Sequence, residues 1–239
     1  MKSLLSADVF DKRDINTYVI LLSAPVLLTL YRYHGTAGQF SGYFPGLQAS
    51  PLADLYGVLW QFFAFFILAF LLPLLFVKTR LKRPLADLGF GPGDHVFGRK
   101  VLLVALPLLV IPLTFIASGM PDVRSEYPLS KTLFAHRDLV LWYEAAYVLV
   151  YYIAWEFFFR GFLLFPLAER FGGMNAVLIQ TISSCLVHIG KPEAEIIGSI
   201  FAGIIFGVLA LRARSFWYGF VLHAAIGVLT DLFILFYAR

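Results

Sequence analysis

The sequence predicts an all-α fold, a polytopic membrane helix bundle of about seven transmembrane helices (six to eight), and three observations predict it. Hydrophobic residues are 60% of the 239 and charged ones 14%, where a soluble domain stands nearer about half and about a quarter. The chain carries 25 Phe, more than one aqueous core of this size would readily bury. Apolar runs recur along the whole length, most of them near the ~20 residues that a helix needs to cross ~30 Å of hydrocarbon.

In chain order, residues 1–14 hold Lys2, Asp8, Asp11, Lys12, Arg13 and Asp14 with no small-residue cleavage pattern before the first apolar run. They read as a cytoplasmic tail without a cleaved signal peptide, and residues 15–239 as a single integral membrane domain. The apolar stretches fall at about 16–32, 55–77, 100–118, 140–168, 175–190, 195–211 and 215–236. The stretch 35–54 is rich in Gly, Pro, Ser and aromatics and has no Lys or Arg, which suits an outside loop. Residues 81–98 are punctuated by Gly and Pro and read as an ordered connector or short surface helix. The fifth stretch is diluted by Gln180, Thr181, Ser183, Ser184 and His188, a pattern that faces other helices or a wet cavity. In the sixth, Gly198, Ala202, Gly203 and Gly207 allow a neighbouring helix to approach closely.

Twelve Lys and Arg fall on one side of this arrangement and six on the other, with Arg160 inside a helix. The excess places the N-terminus in the cytoplasm. The same rule accounts for the net charge of +4, so no nucleic-acid partner is implied; the partner is the lipid bilayer. The single Cys185 excludes an internal disulfide.

Glu156 and Arg160 lie within the otherwise apolar run 147–167. Charge at membrane depth is costly unless paired or wet, which marks a functional site, and the i, i+4 spacing puts both on one face with the acid first. His34, His95 and His136 belong to loops or a membrane surface, but His188 and His223 belong to spanning segments. Counted at 1.5 Å per residue, Glu156 lies about 18 Å, His188 about 20 Å and His223 about 12 Å from the same side. One carboxylate and two imidazoles from three helices suit a two-histidine, one-carboxylate metal site or activation of a water without metal; both imply hydrolysis. A bland alternative is a structural ion pair with unrelated histidines.

The order Glu156-x-x-x-Arg160-Gly161, then Cys185-Leu186-Val187-His188, then Arg212-x-Arg214-Ser215 leading to His223-Ala224-Ala225 resembles the type II CAAX prenyl endopeptidase and bacteriocin-processing (CPBP, or Abi) family over about residues 140–236. The resemblance implies an intramembrane endopeptidase acting on a membrane-anchored peptide or prenylated protein, in the plasma membrane of a prokaryote. It implies Glu156, His188 and His223 as catalytic residues supported by Arg160, with no cofactor required; a divalent metal on the same three residues is the alternative. Three positions depart from the family's E-E-x-x-x-R, F-x-x-x-H and H-x-x-x-N motifs: Trp155 replaces the first glutamate, Ser184 the Phe and Gly227 the Asn. Glu156 would then have to point into the site, about 100° around the helix from position 155. Thr230 or Asp231 could supply the polar group lost at Gly227. A catalytically inactive relative acting as a membrane binding or immunity factor is the competing reading. A transporter would show broken half-helices and an inverted repeat, and neither is evident. The aromatics Phe157, Phe158, Phe159, Phe162, Phe201 and Phe206 read as packing or lipid-facing surface rather than a prenyl groove.

Overall fold

The computed structural model describes residues 10–236; most of the tail's first residues, including Lys2 and Asp8, and Arg239 lie outside the described residues. Seven long helices dominate: α1 (Lys12–Gly35), α2 (Ala53–Leu81), α3 (His95–Ser118), α4 (Arg137–Phe171), α5 (Gly173–Val187), α6 (Glu193–Ala213) and α7 (Trp217–Phe236). Among the described residues there is no strand. All but α5 are long and apolar enough to cross a membrane, and the chain is an integral membrane protein. The 15 residues of α5 reach only about 23 Å at 1.5 Å each. The expected loop at 35–54 is itself folded into short helical turns at Ala37–Gln39, Phe40–Tyr43 and Pro45–Leu47.

The apolar exterior and the packed interior are separated as a bilayer requires. Leu22, Leu103, Leu108, Leu113 and Ile116, on α1 and α3, are exposed, an apolar belt that only lipid would cover. Inside, α4 is the central helix, and its aromatic residues explain why. Phe62 of α2 stacks on Tyr147 at 4.8 Å, Phe65 on Trp155 at 5.4 Å, and Phe70 tilts against Phe157 at 4.8 Å. Such ring pairs contribute about 0.5–1.5 kcal/mol each beyond their buried area. Phe157, Phe158, Phe159, Phe162 and Phe206 are buried in this packing, whereas Phe201 is exposed.

Small and polar residues set the α5–α6 spacing. A Cβ on Gly203 would press on Thr181, and one on Gly207 on Gln180 and Val177, whereas Gly198 faces open space. The Gln180 amide donates to the Gly203 carbonyl at 2.8 Å. The polar dilution of α5 thus faces α6 through Gln180, Thr181 and Ser184, all buried.

Candidate active site

Two segments of α4 widen to π-type turns, Tyr147–Tyr152 and Phe157–Leu163, and the single α-helical turn Ile153–Glu156 lies between them. Such insertions recur at functional sites because they re-aim successive side chains. Here Trp155 and Glu156 leave the helix in different directions. Glu156 is fully buried and turns toward α7, where Gly219 leaves it room: a Cβ on that glycine would stand 3.2 Å from Oε2. Its Oε1 accepts from the Arg160 guanidinium at 3.0 Å and lies 2.7 Å from His223 Nδ1. Arg160 is buried as well, over the rings of Phe159 and Phe206.

Trp155 faces the other way and brings the two histidines together. Its indole meets the His188 ring edge-on at 5.1 Å and the His223 ring at 5.9 Å. These three side chains, with Gln61, Tyr127, Tyr147, Tyr151, Tyr152, Lys191 and Glu195, line a cavity of about 50 Å³. That is room for one or two waters among polar partners. Glu156 is not among the lining residues. The sequence reading required it to point into the site beside Trp155; instead it stands behind His223, because consecutive residues diverge by about 100° on a helix.

The ring nitrogens of both histidines can be assigned from their partners. His188 follows the last residue of α5 and its Nδ1 is 2.8 Å from the Ser184 carbonyl. A carbonyl only accepts, so Nδ1 carries the proton and Nε2 is left with its lone pair. For His223, Glu156 Oε1, which already accepts from Arg160, is likewise the acceptor, so Nδ1 donates to it and Nε2 is left for the cavity side. Ser184 therefore contributes its backbone where the family motif has Phe, while its hydroxyl bonds back to Thr181.

Gly227 and Thr230, the other supporting residues read from sequence, sit one and two turns beyond His223. A Cβ at position 227 would overlap the Tyr152 hydroxyl, and the Tyr152 ring is 4.7 Å from that of His223. The space of an Asn side chain is thus filled by a tyrosine from α4. Thr230 donates its hydroxyl to the Ile226 carbonyl at 2.7 Å, so that proton is engaged on its own helix. Asp231 is fully buried beside Tyr143 and Glu144. Neither lines the cavity.

Among the described residues no three His, Cys, Asp or Glu side chains come together as metal ligands. With Glu156 Oε1 engaged by Arg160 and His223 and its carboxylate outside the cavity, the proposed two-histidine, one-carboxylate set does not fit a metal in this arrangement.

Sequence reasoning missed two contributors. One is Glu195 in the first turn of α6, whose Oε1 accepts from the Tyr127 hydroxyl at 2.7 Å. Burial, and then the neighbouring Glu195, hold that hydroxyl well above the usual tyrosine range, so it remains a donor. Lys191, on the same wall, pairs with Glu126. The other is the docking of the 81–98 segment, read from sequence only as an ordered connector or short surface helix, under the α6–α7 turn, which fixes where α7 begins. Phe216 N–H donates to the Gly89 carbonyl at 3.1 Å and Asp94 N–H to Ala213 at 2.7 Å. The Trp217 indole donates to Phe90 at 2.8 Å and the Tyr218 hydroxyl to Pro92 at 2.6 Å. Gly93 has φ +54°, and a Cβ there would collide with the Ala213 carbonyl.

The fold is that of a helical membrane protein that buries a Glu–Arg–His cluster behind a small cavity lined by two histidines. The family model for type II CAAX prenyl endopeptidase, Rce1-like, matches residues 137–229, from the start of α4 into α7. Over that segment, which is less than half of the chain, the sequence is similar to that family, consistent with the order of its three motifs. No curated protein and no solved structure matches the chain.

Proposed function

We propose that this protein is an intramembrane endopeptidase that hydrolyses a membrane-anchored peptide, of the kind cut beyond a prenylated cysteine. The observation that carries this reading is the shared cavity of His188 and His223, each using Nδ1 on a fixed acceptor and keeping Nε2 for the cavity. His188 Nε2 accepts a hydrogen bond from a water and aims it, a role for which a neutral imidazole is suited. His223, backed by the Glu156 carboxylate, can take a second proton and donate Nε2–H to the oxygen that becomes negative as the carbonyl is attacked. Glu156 and Arg160 act through His223 and are positioning residues in this scheme.

The test is cleavage of a farnesylated peptide with three residues after its cysteine, by purified protein in lipid nanodiscs. His188→Ala and His223→Ala are expected to lower kcat by roughly 100-fold or more, with the fold intact by its melting transition. Wild-type turnover in His188→Ala would refute the assignment. Trp155 favours a second reading, because an indole cannot accept the proton that a glutamate at that position would take. On that reading the protein is an inactive family relative that binds membrane peptides, and the wild type would bind the farnesylated peptide without cutting it.

A further inference from the structure

The cavity has one carboxylate on its wall, and it does not come from α4. Its polar lining is Gln61, Tyr127, Tyr147, Tyr151, Tyr152, His188, Lys191, Glu195 and His223. Glu156, the carboxylate adjacent in sequence to the indole, has Oε1 tied to Arg160 and His223 and Oε2 against Gly219. Glu195 is differently placed. It is half-buried at the start of α6, seven residues after His188 across the tight Ile189–Pro192 turn. Tyr127 occupies Oε1, which fixes the carboxylate plane and leaves Oε2 as an acceptor. Lys191 would compete for it as an ion-pair partner, but Lys191 is engaged by Glu126.

We propose that Glu195 is the general base of this site, a carboxylate brought from α6 to serve the cavity that Trp155 would otherwise leave without one. This rests on the hydrolytic reading above. A water held by His188 Nε2 gives one proton to Glu195 while its oxygen attacks the scissile carbonyl carbon. The C=O π pair moves onto oxygen, facing His223. As the pair returns, the C–N bond breaks and Glu195 gives its proton to the departing nitrogen. The products are a carboxylic acid, which ionises, and an amine, and Glu195 is again a carboxylate. No other reactant is needed.

The experiment measures kcat on the farnesylated peptide for wild type, His188→Ala, Glu195→Gln and the double variant Trp155→Glu/Glu195→Gln, each in nanodiscs with its melting transition recorded. Glu195→Gln keeps an oxygen for the Tyr127 hydroxyl, so the fold is retained while the base is lost. The expected result is a loss of roughly 100-fold or more in Glu195→Gln and recovery of at least tenfold when a glutamate is returned at position 155. A rescue of that kind requires a base in the cavity and would not follow from a structural role. Glu195→Gln within threefold of wild type overturns the proposal while leaving the hydrolytic reading in place, provided that His188→Ala is inactive. A loss without rescue also overturns it, assigning Glu195 to structure. Absence of cleavage by the wild type overturns both readings.

Discussion

Removing one member of the buried ion pair should be far more damaging than removing both. Glu156 is fully buried and Arg160 nearly so, at 3.0 Å. Glu156→Met leaves a guanidinium in the bundle with Nη1 unpaired, and Arg160 Nε is already without a hydrogen-bond partner. Stranding a buried charge in this way costs about 3–5 kcal/mol. The rings of Phe159 and Phe206, 5.9 and 5.6 Å from the guanidinium carbon, face it in wild type and variant alike and leave the difference at about 3–5 kcal/mol. Arg160→Met should cost less, because a carboxylate can take up a proton in response and a guanidinium cannot. Glu156→Met/Arg160→Met places two apolar side chains of similar volume in the same space and should return to within about 1 kcal/mol of wild type. Equilibrium unfolding in mixed micelles measures all four corners of the cycle. Additive losses, with a coupling energy under about 0.5 kcal/mol, would refute the reasoning. The double variant also separates stability from chemistry: it folds, but His223 Nδ1 has lost its acceptor, so peptide cleavage should fall by roughly tenfold or more.

Gly227→Ala puts a methyl group where the Tyr152 hydroxyl lies; overpacking should destabilise by about 1–3 kcal/mol, and Tyr152→Phe in the same chain should relieve it. An unchanged melting transition in Gly227→Ala would show that the hydroxyl is not held there. At the connector, the Phe97 N–H and then the Arg212 guanidinium hold the Asp94 carboxyl below its usual value of 3.8. Between the two values the unfolded segment binds more protons, so this contribution is present above the usual value and is lost as pH falls through the folded one. Amide exchange at Phe216, corrected for its intrinsic pH dependence, should therefore accelerate below about pH 4, and Asp94→Asn should show the faster exchange already at neutral pH. Identical corrected rates in the two proteins would count against the clamp.

The helices were legible because lipid imposes a simple rule on composition: the seven apolar stretches correspond to α1–α7, with ends that differ by a few residues. Depth made a shared site of His188 and His223 possible, at about 20 Å and about 12 Å from one side, and the order of the family motifs was needed to pair them. What was not legible depends on rotation about the helix axis. Counting residues does not tell which way Glu156 faces when π-type turns on either side of it alter the angular step. Glu195 was hidden for a related reason. At the start of an apolar helix it resembles an ordinary acid near the helix dipole, and only the fold of the Tyr127 segment against it reveals a fixed carboxylate. Gly227 read as a lost Asn; the compensating Tyr152 lies 75 positions away on another helix, and nothing local to either residue links them.

Trp155 and Glu156 divide between two faces what the family motif assigns to two adjacent glutamates, and this changes what each substitution means. The Glu156–Arg160–His223 cluster is built on one face of α4 and on Gly219, and position 155 adds to it only a ring contact with His223 at 5.9 Å. Its presence is therefore evidence that His223 is held in place, and not by itself evidence that a water can be deprotonated. That second question is decided on the opposite face, where the indole packs between two imidazoles and fills space that a shorter carboxylate side chain would leave open. With Trp155 in its lining the cavity measures about 50 Å³, and the carboxylate among its lining residues is Glu195 of α6. If the base is Glu195, the water must be approached from the α6 side, and the peptide must cross the cavity in a direction set by Tyr127 and Lys191 rather than by α4. Variants at Tyr127 should then alter KM and kcat together, whereas variants at Arg160 should act through the orientation of His223 and alter kcat alone.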